Sequence, residues 1–250
     1  MKLKQRSGLQ ALFGGAALMF LLTACPGPIP PPPIYNPQYL TFKYPALPST
    51  VNSRNTYLAA IAIDTSGSSN TVTVVNSVAL DSGSLYASPQ PNTAQLPLYN
   101  LDSLLNGKSQ CLQDVVKGEA DGIKDFKVTP EKAQTCNVYF VIYEDRDGNS
   151  SPSSAEELYS THDIMSYASS DLTYSYTSED GNSAVSGVRS KGWSLVRHLA
   201  LQPVSTPGKY LVSMNSVPKE DKALALTMHE PSAFYTSQSL PSAAVRGSQP

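Results

Sequence analysis

The acidic run Asp145-Arg146-Asp147-Gly148-Asn149-Ser150-Ser151, followed by Glu156-Glu157, holds the residues of this chain best spaced for chemistry. Calcium takes about six to eight hard oxygen ligands, and loops supply them at alternate positions before a bidentate glutamate. Counting Asp145 as the first position, Asp147, Asn149 and Ser151 fall at the third, fifth and seventh, and Glu156 at the twelfth. Asp145, Asp147, Asn149 and Glu156 are therefore candidate ligands of a structural calcium ion. The same composition also suits a surface turn whose Asp and Asn side chains cap their own backbone. Catalysis finds less support. His162, His198 and His229 are far apart, and none stands in an H-E-x-x-H or Cys/His ligand pattern. His162-Asp163 and His229-Glu230 place acids beside histidines, but neighbours along a strand face opposite sides. No G-x-S-x-G elbow occurs.

The run from Asp145 to Glu156 resembles the calcium loop of EF-hand and dockerin-like modules, over a dozen residues. That resemblance implies an all-oxygen cage. It departs at the sixth position, where glycine is replaced by Ser150, and at the eighth, where an aliphatic residue is replaced by Pro152. A non-glycine at the sixth position has to take an unfavourable backbone conformation.

The compartment is written at the N-terminus. Lys2, Lys4 and Arg6 precede a mostly apolar stretch from Leu9 to Leu22, and no acidic residue occurs before Cys25. That stretch is shorter than the roughly 20 apolar residues of a membrane span, so residues 1–24 read as a signal peptide. Leu22-Thr23-Ala24-Cys25 resembles the lipobox of bacterial lipoproteins. The resemblance implies diacylglycerol on the Cys25 thiol, cleavage just before it and acylation of the new amino group, palmitate being the expected kind of chain. Two or three acyl chains make a stable anchor where one does not. The expected location is the extracytoplasmic cell envelope, at a membrane surface. An ordinary secretory leader with a chance cysteine is the alternative.

Removing three basic leader residues leaves 15 Lys plus Arg against 20 Asp plus Glu, a net charge of −5. Nothing basic is clustered, so no nucleic-acid partner is expected. Cys111 and Cys136 then remain, and an even pair in an exported protein reads as a disulfide, with two unpaired buried thiols as the alternative.

The elements that must position these residues follow from patterning. Residues 25–40 read as a tether, of which Pro26–Pro37 is dense in proline and suits polyproline II, lifting the body roughly 35 Å from the lipid; a ligand for a partner's aromatic groove is the alternative. The body, 41–218, reads as strands at 56–63, 71–80, 126–129, 137–144, 163–168, 172–178, 183–190, 193–202 and 209–217. Leu172, Tyr174 and Tyr176 alternate with Thr173, Ser175 and Thr177, the mark of a half-buried strand. Both faces of 137–144 are apolar or aromatic, which predicts a central strand. Asp180-Gly181 predicts a hairpin. Residues 98–106 and 154–160 suit one or two helical turns. Short strands with Gly, Pro and Ser at their joints predict a mainly β antiparallel β-sandwich, as one large or two small packed sandwiches. Residues 219–250 read as a mostly disordered tail, with 223–228 available as an edge strand.

The chain has 14 Tyr and one Trp. Tyr174 and Tyr176 on one strand face suit either an aromatic platform or, more in keeping with strand statistics, core packing. The sequence thus points to a lipid-anchored envelope protein acting as a structural or binding module, its partner an envelope protein or a glycan. The alternative is an exported hydrolase-like enzyme.

Overall fold

Apolar residues at every second position give this chain its strands, and the breaks between them fall at Gly, Pro, Asn and Ser. The computed structural model describes residues 39–64, 71–81, 91–106, 111–115, 123–203, 205–218 and 225–231. The segments expected to be a signal peptide (1–24), a lipidated cysteine (Cys25) and a tether (up to residue 38), and the tail from 232, lie outside the described residues. All described residues belong to one unit, 32–250.

In chain order the strands are β1 (Tyr39–Lys43), β2 (Thr56–Asp64), β3 (Thr71–Ala79), β4 (Thr93–Pro97), β5 (Gln113–Asp114), β6 (Ile123–Thr129) and β7 (Gln134–Glu144). They continue with β8 (Glu157–Ser160), β9 (Ile164–Ala168), β10 (Leu172–Ser178), β11 (Ser183–Arg189), β12 (Gly192–Leu201), β13 (Tyr210–Ser216) and β14 (Ala225–Thr227). Every strand expected from the patterning forms, and β14 takes up the apolar part of the tail. Residues 154–160 begin with a single turn, in which Glu156 N and Glu157 N both donate to Ser153 O, and do not continue as a helix. They end in β8, because Tyr159 pairs with Ile142 and its hydroxyl donates to Ala46 O at 2.8 Å. The turn at 98–106 is a short 3-10 helix, Leu101–Leu104. β1 begins two residues before the expected body boundary at 41, since Tyr39 and Leu40 pair with Pro97 and Leu96.

Two sheets result. The large one runs β3-β2-β7-β9-β12-β13-β11-β10-β6, with β5 and β8 also paired to β7, and the small one runs β14-β1-β4. Pairing is antiparallel apart from β11 with β13 and β1 with β14, which are parallel. The expected hairpin joins β10 to β11, with Gly181 at φ +70° in its turn.

The small sheet covers one face of the large one. Leu40, Phe42, Ala94 and Leu96 pack against Leu58, Ala60, Phe140 and Ile142, and the Phe42 and Phe140 rings lie 5.0 Å apart. β7 is buried on both faces, as its sequence predicts: Val138, Phe140 and Ile142 on one side, Val141 and Tyr143 on the other. On that second side Tyr139, Ile164 and Val196 meet Tyr176, Val185, Val212 and Met214. The large sheet therefore coils until its two halves pack face to face, an extension of ordinary strand twist. Tyr174 lies over Gly187, where any Cβ would run into its ring. Tyr174 and Tyr176 thus serve packing.

A disulfide joins Cys111 to Cys136, with Cα atoms 5.0 Å apart. It ties the segment before β5 to β7. Closing a loop of 25 residues contributes about 3–4 kcal/mol on the loop-entropy estimate.

Candidate metal centre

The chain between β7 and β8 is the loop from Asp145 to Glu156. Antiparallel pairing of Tyr143 with Glu157 brings its two ends together. Two residues make the reversal, Gly148 at φ +73° and Ser150 at φ +59°. Ser150 occupies the sixth position and pays for the missing glycine with the left-handed conformation the sequence forecast.

The side chains fold inward around this turn. Asp145 is 8% exposed and Glu156 4%. One carboxylate oxygen from each of Asp145, Asp147 and Glu156 lies within 4.8 Å of the others. With calcium–oxygen bonds of about 2.3–2.6 Å, oxygens sharing one ion stand no more than about 5.2 Å apart, so the spacing of the three is compatible with a common calcium ion after a small inward movement of the loop. This acidic triad could hold a metal ion. Asn149, the fourth candidate, is exposed, and its amide oxygen accepts from Ser151 N at 2.7 Å.

Much of the carboxylate charge meets backbone amides. Asp147 Oδ1 accepts from Asn149 N at 3.1 Å, and Asp145 Oδ2 from Ser150 N at 3.2 Å. Glu156 Oε1 accepts from Arg146 N at 2.9 Å, and Oε2 from Ser153 Oγ at 2.7 Å. The Ser153 hydroxyl, then the Arg146 and Ser153 amides, hold the Glu156 carboxyl below the usual carboxylate range. The turn-capping role of these side chains is therefore real. It leaves one atom over. Asp145 Oδ1 is buried and has no hydrogen-bond partner among the described residues. An unpaired buried carboxylate oxygen is costly unless a cation or donor meets it. The neighbouring cation does not, because Arg146 Nε turns to Glu144 Oε2 at 2.8 Å. Next to the triad, Tyr143 is pushed up to about 12, first by burial, then by the charges of Asp145, Tyr57 and Glu156.

A second cluster was not legible as a motif. The chain's three histidines come together: the rings of His162 and His198 lie 4.6 Å apart, and those of His162 and His229 lie 5.1 Å apart. Register explains the first pair. β9 and β12 match Ile164 with Val196, and extending that ladder by two residues sets His162 opposite His198. The third comes from a two-way backbone bridge, Ser160 N to His229 O and His229 N to Ser160 O, each 2.9 Å. Asp163 is not turned away as a neighbour in a strand would be; its Oδ1 accepts from His198 N at 2.8 Å. Among the described residues only the acidic triad brings three ligand atoms within 4.8 Å, so these imidazoles stack without converging on a point.

The outer face of β6, β10, β11, β12 and β13 carries a shallow depression of about 500 Å³. Asp125, Lys127, Ser175, Leu201, Leu211 and Ser213 line it. Leu199, Leu201, Leu211 and Val188 are half-exposed on this side of the sheet. Comparisons of the chain with protein families, with curated proteins and with solved structures find no match.

Proposed function

We propose that this protein is a lipid-anchored component of the bacterial cell envelope whose β-sandwich body is a binding or structural module, with calcium in the 145–156 loop. The leader and the Leu22-Thr23-Ala24-Cys25 tetrapeptide support the anchor. The orphaned Asp145 Oδ1 inside the acidic triad supports the ion. Calcium suits the site better than magnesium, since carboxylate and amide oxygens supplied by one flexible loop meet its looser geometry.

The observation that carries the binding reading is the open sheet face around Leu201 and Leu211. Contiguous half-exposed leucines beside hydroxyl-bearing residues offer both apolar area and hydrogen bonds, which a partner protein or a glycan of the envelope would use. Pull-down of the lipidated protein from its own envelope, beside the Leu211→Asp variant, tests this. Capture of a partner that is lost in the variant supports the reading, and equal capture by both removes the face from it. Metabolic labelling with a fatty-acid probe tests the anchor, with Cys25→Ser expected to lose the label. Calcium is tested by melting the protein with calcium and with chelator. Binding to the folded state alone raises stability by about 2.7 kcal/mol at a hundred times Kd. Identical melts would leave the loop an ordinary turn.

The exported-enzyme alternative draws on the approach of Asp163 to the histidines. His162 and Asp163 are 6% and 8% exposed, which leaves a substrate little access to them.

A further inference from the structure

Glu144 closes β7 and Arg146 follows in the loop, with Asp145 of the triad between them. The Glu144 carboxylate is held from two sides. Its Oε1 accepts from Asn52 N at 2.8 Å, and its Oε2 accepts from Arg146 Nε at 2.8 Å. The Asn52 amide and then the Arg146 side chain keep this carboxyl below the usual carboxylate range, so it stays ionised at neutral pH. Arg146 Nη1 also donates to Ala155 O at 3.4 Å, so the guanidinium ties the start of the loop to its end. The Arg146 side chain is 57% exposed and that of Glu144 12%. A pair this open to water adds little to stability. What it decides is where the guanidinium goes.

The alternative position lies close by. Arg146 N donates to Glu156 Oε1 at 2.9 Å, so the Arg146 backbone already touches the triad, and its long stem can swing the guanidinium toward it. A guanidinium presents its N–H donors in a planar fork and keeps its charge at any pH the protein meets. Turned toward Asp145 and Asp147, its neighbours in sequence, it would make charge-assisted bonds to the oxygens that calcium needs. Being tethered, it competes at a high effective concentration that dilution does not lower. Asp145, 8% exposed with Oδ1 unpaired among the described residues, is the carboxylate such a cation would meet.

We propose that Glu144 is a positioning residue that keeps Arg146 out of the acidic triad, so that calcium does not have to displace a cation carried by the loop itself. The inference rests on the calcium reading of the loop. It adds that the affinity for the ion is set by a side chain outside the ligand set.

Calorimetric titration of the full chain with calcium chloride at constant ionic strength tests this, on wild type, Glu144→Gln, Arg146→Gln and the double variant. Both substitutions spare the fold. Glutamine at 144 still accepts from Asn52 N, and the bond from Arg146 to Glu156 is made by the backbone. Glu144→Gln should weaken calcium binding roughly tenfold, the scale of a charge-assisted bond that the ion then has to break. Arg146→Gln should bind at least as tightly as wild type. The double variant should match Arg146→Gln within about twofold, because without the guanidinium Glu144 has nothing to hold away. Equal weakening by Glu144→Gln in both backgrounds would overturn the proposal, since Glu144 would then act through its own charge or as a ligand. So would an unchanged affinity in Glu144→Gln, with Arg146 staying outside unaided. Wild type that binds no calcium would remove the calcium reading and this inference together, whereas binding with additive effects removes the inference alone.

Discussion

The 145–156 loop and the histidine cluster are both polar sites at the ends of strands in the large sheet, yet they are built in opposite ways. The loop gathers its groups from a dozen consecutive residues and concentrates negative charge, with Asp145 Oδ1 left unpaired. The cluster gathers its groups from three distant segments and stacks their rings closely. A cation would strengthen the first, and a proton on His198 would weaken the second. The difference follows from which form of each group the surroundings tolerate. Amide donors point at the loop's carboxylates and favour their charge, whereas burial around His198 disfavours its charge.

Removing the loop's charge gives the largest expected effect. Asp145→Asn keeps an oxygen for Ser150 N but removes the buried negative charge, so the calcium-dependent gain of about 2.7 kcal/mol at a hundred times Kd should vanish. The calcium-free melting temperature should hold or rise, because an unpaired charge has left the interior. A variant that still gained stability from calcium would move the ion away from Asp145 and break the contrast on the loop's side.

Acid gives the next effect, on the cluster. A histidine whose folded value lies below its ordinary one is protonated first in the unfolded chain. Its contribution is intact above about 6.5 and is lost as pH falls toward about 4. Unfolding free energy should decline across that window, and His198→Gln should decline less. The loss stays below that of a fully buried group, since part of the His198 ring is open to solvent screening. Asp163, held above its ordinary value by burial, opposes the trend as it takes up its own proton. Urea titrations at pH 7 and pH 4.5 for both proteins measure the slope, and equal slopes would show that His198 feels no burial.

The two sites also mark what the sequence makes legible. Ligand spacing inside one loop survives translation into structure, so Asp145, Asp147 and Glu156 were found by counting. The strain at Ser150 was found by noting a missing glycine. The alternation of Leu172, Tyr174 and Tyr176 placed β10, and the apolar run 137–144 placed the central strand. Strand register is not visible in the same way. That His162 faces His198 depends on the pairing of β9 with β12, and His229 arrives only through its bridge to Ser160. The coiling of the large sheet and its two parallel ladders are likewise set by long-range packing. So are the short strands β1, β4 and β8, whose local signal is too brief to outweigh their Pro, Ser and Gln neighbours.

A smaller effect sharpens the loop alone. Ser150 sits at φ +59°, a left-handed conformation that costs an L-residue about 1–2 kcal/mol, while glycine adds flexibility to the unfolded chain. Ser150→Gly should therefore stabilise the calcium-free protein by a net of about 0.5–1 kcal/mol. It also restores the sixth-position residue of the calcium loop, so half-saturation should occur at lower calcium. A lower melting temperature for the variant would mean that the Ser150 hydroxyl contributes more than its backbone strain costs.

The smallest effect is spectroscopic and reports the ion's position without a mutation in the loop. Tyr143 packs beside Tyr57, with ring centres 5.7 Å apart, and stands next to the acidic triad. Burial is the main reason its phenol is pushed up to about 12, and the charges of Asp145 and Glu156 add to it. A divalent ion bound between those carboxylates cancels their field but leaves the burial. Calcium should therefore lower the Tyr143 titration midpoint, and only in part. The phenolate absorbance of wild type minus Tyr143→Phe isolates this residue, recorded with calcium and with chelator over the alkaline limb. Asp145→Asn should begin at a lower midpoint and ignore calcium, because one of the two charges is gone and the site with it. A midpoint indifferent to calcium in the wild type, alongside a calcium-dependent melt, would put the ion elsewhere on the molecule. The orphaned Asp145 oxygen would then need another partner.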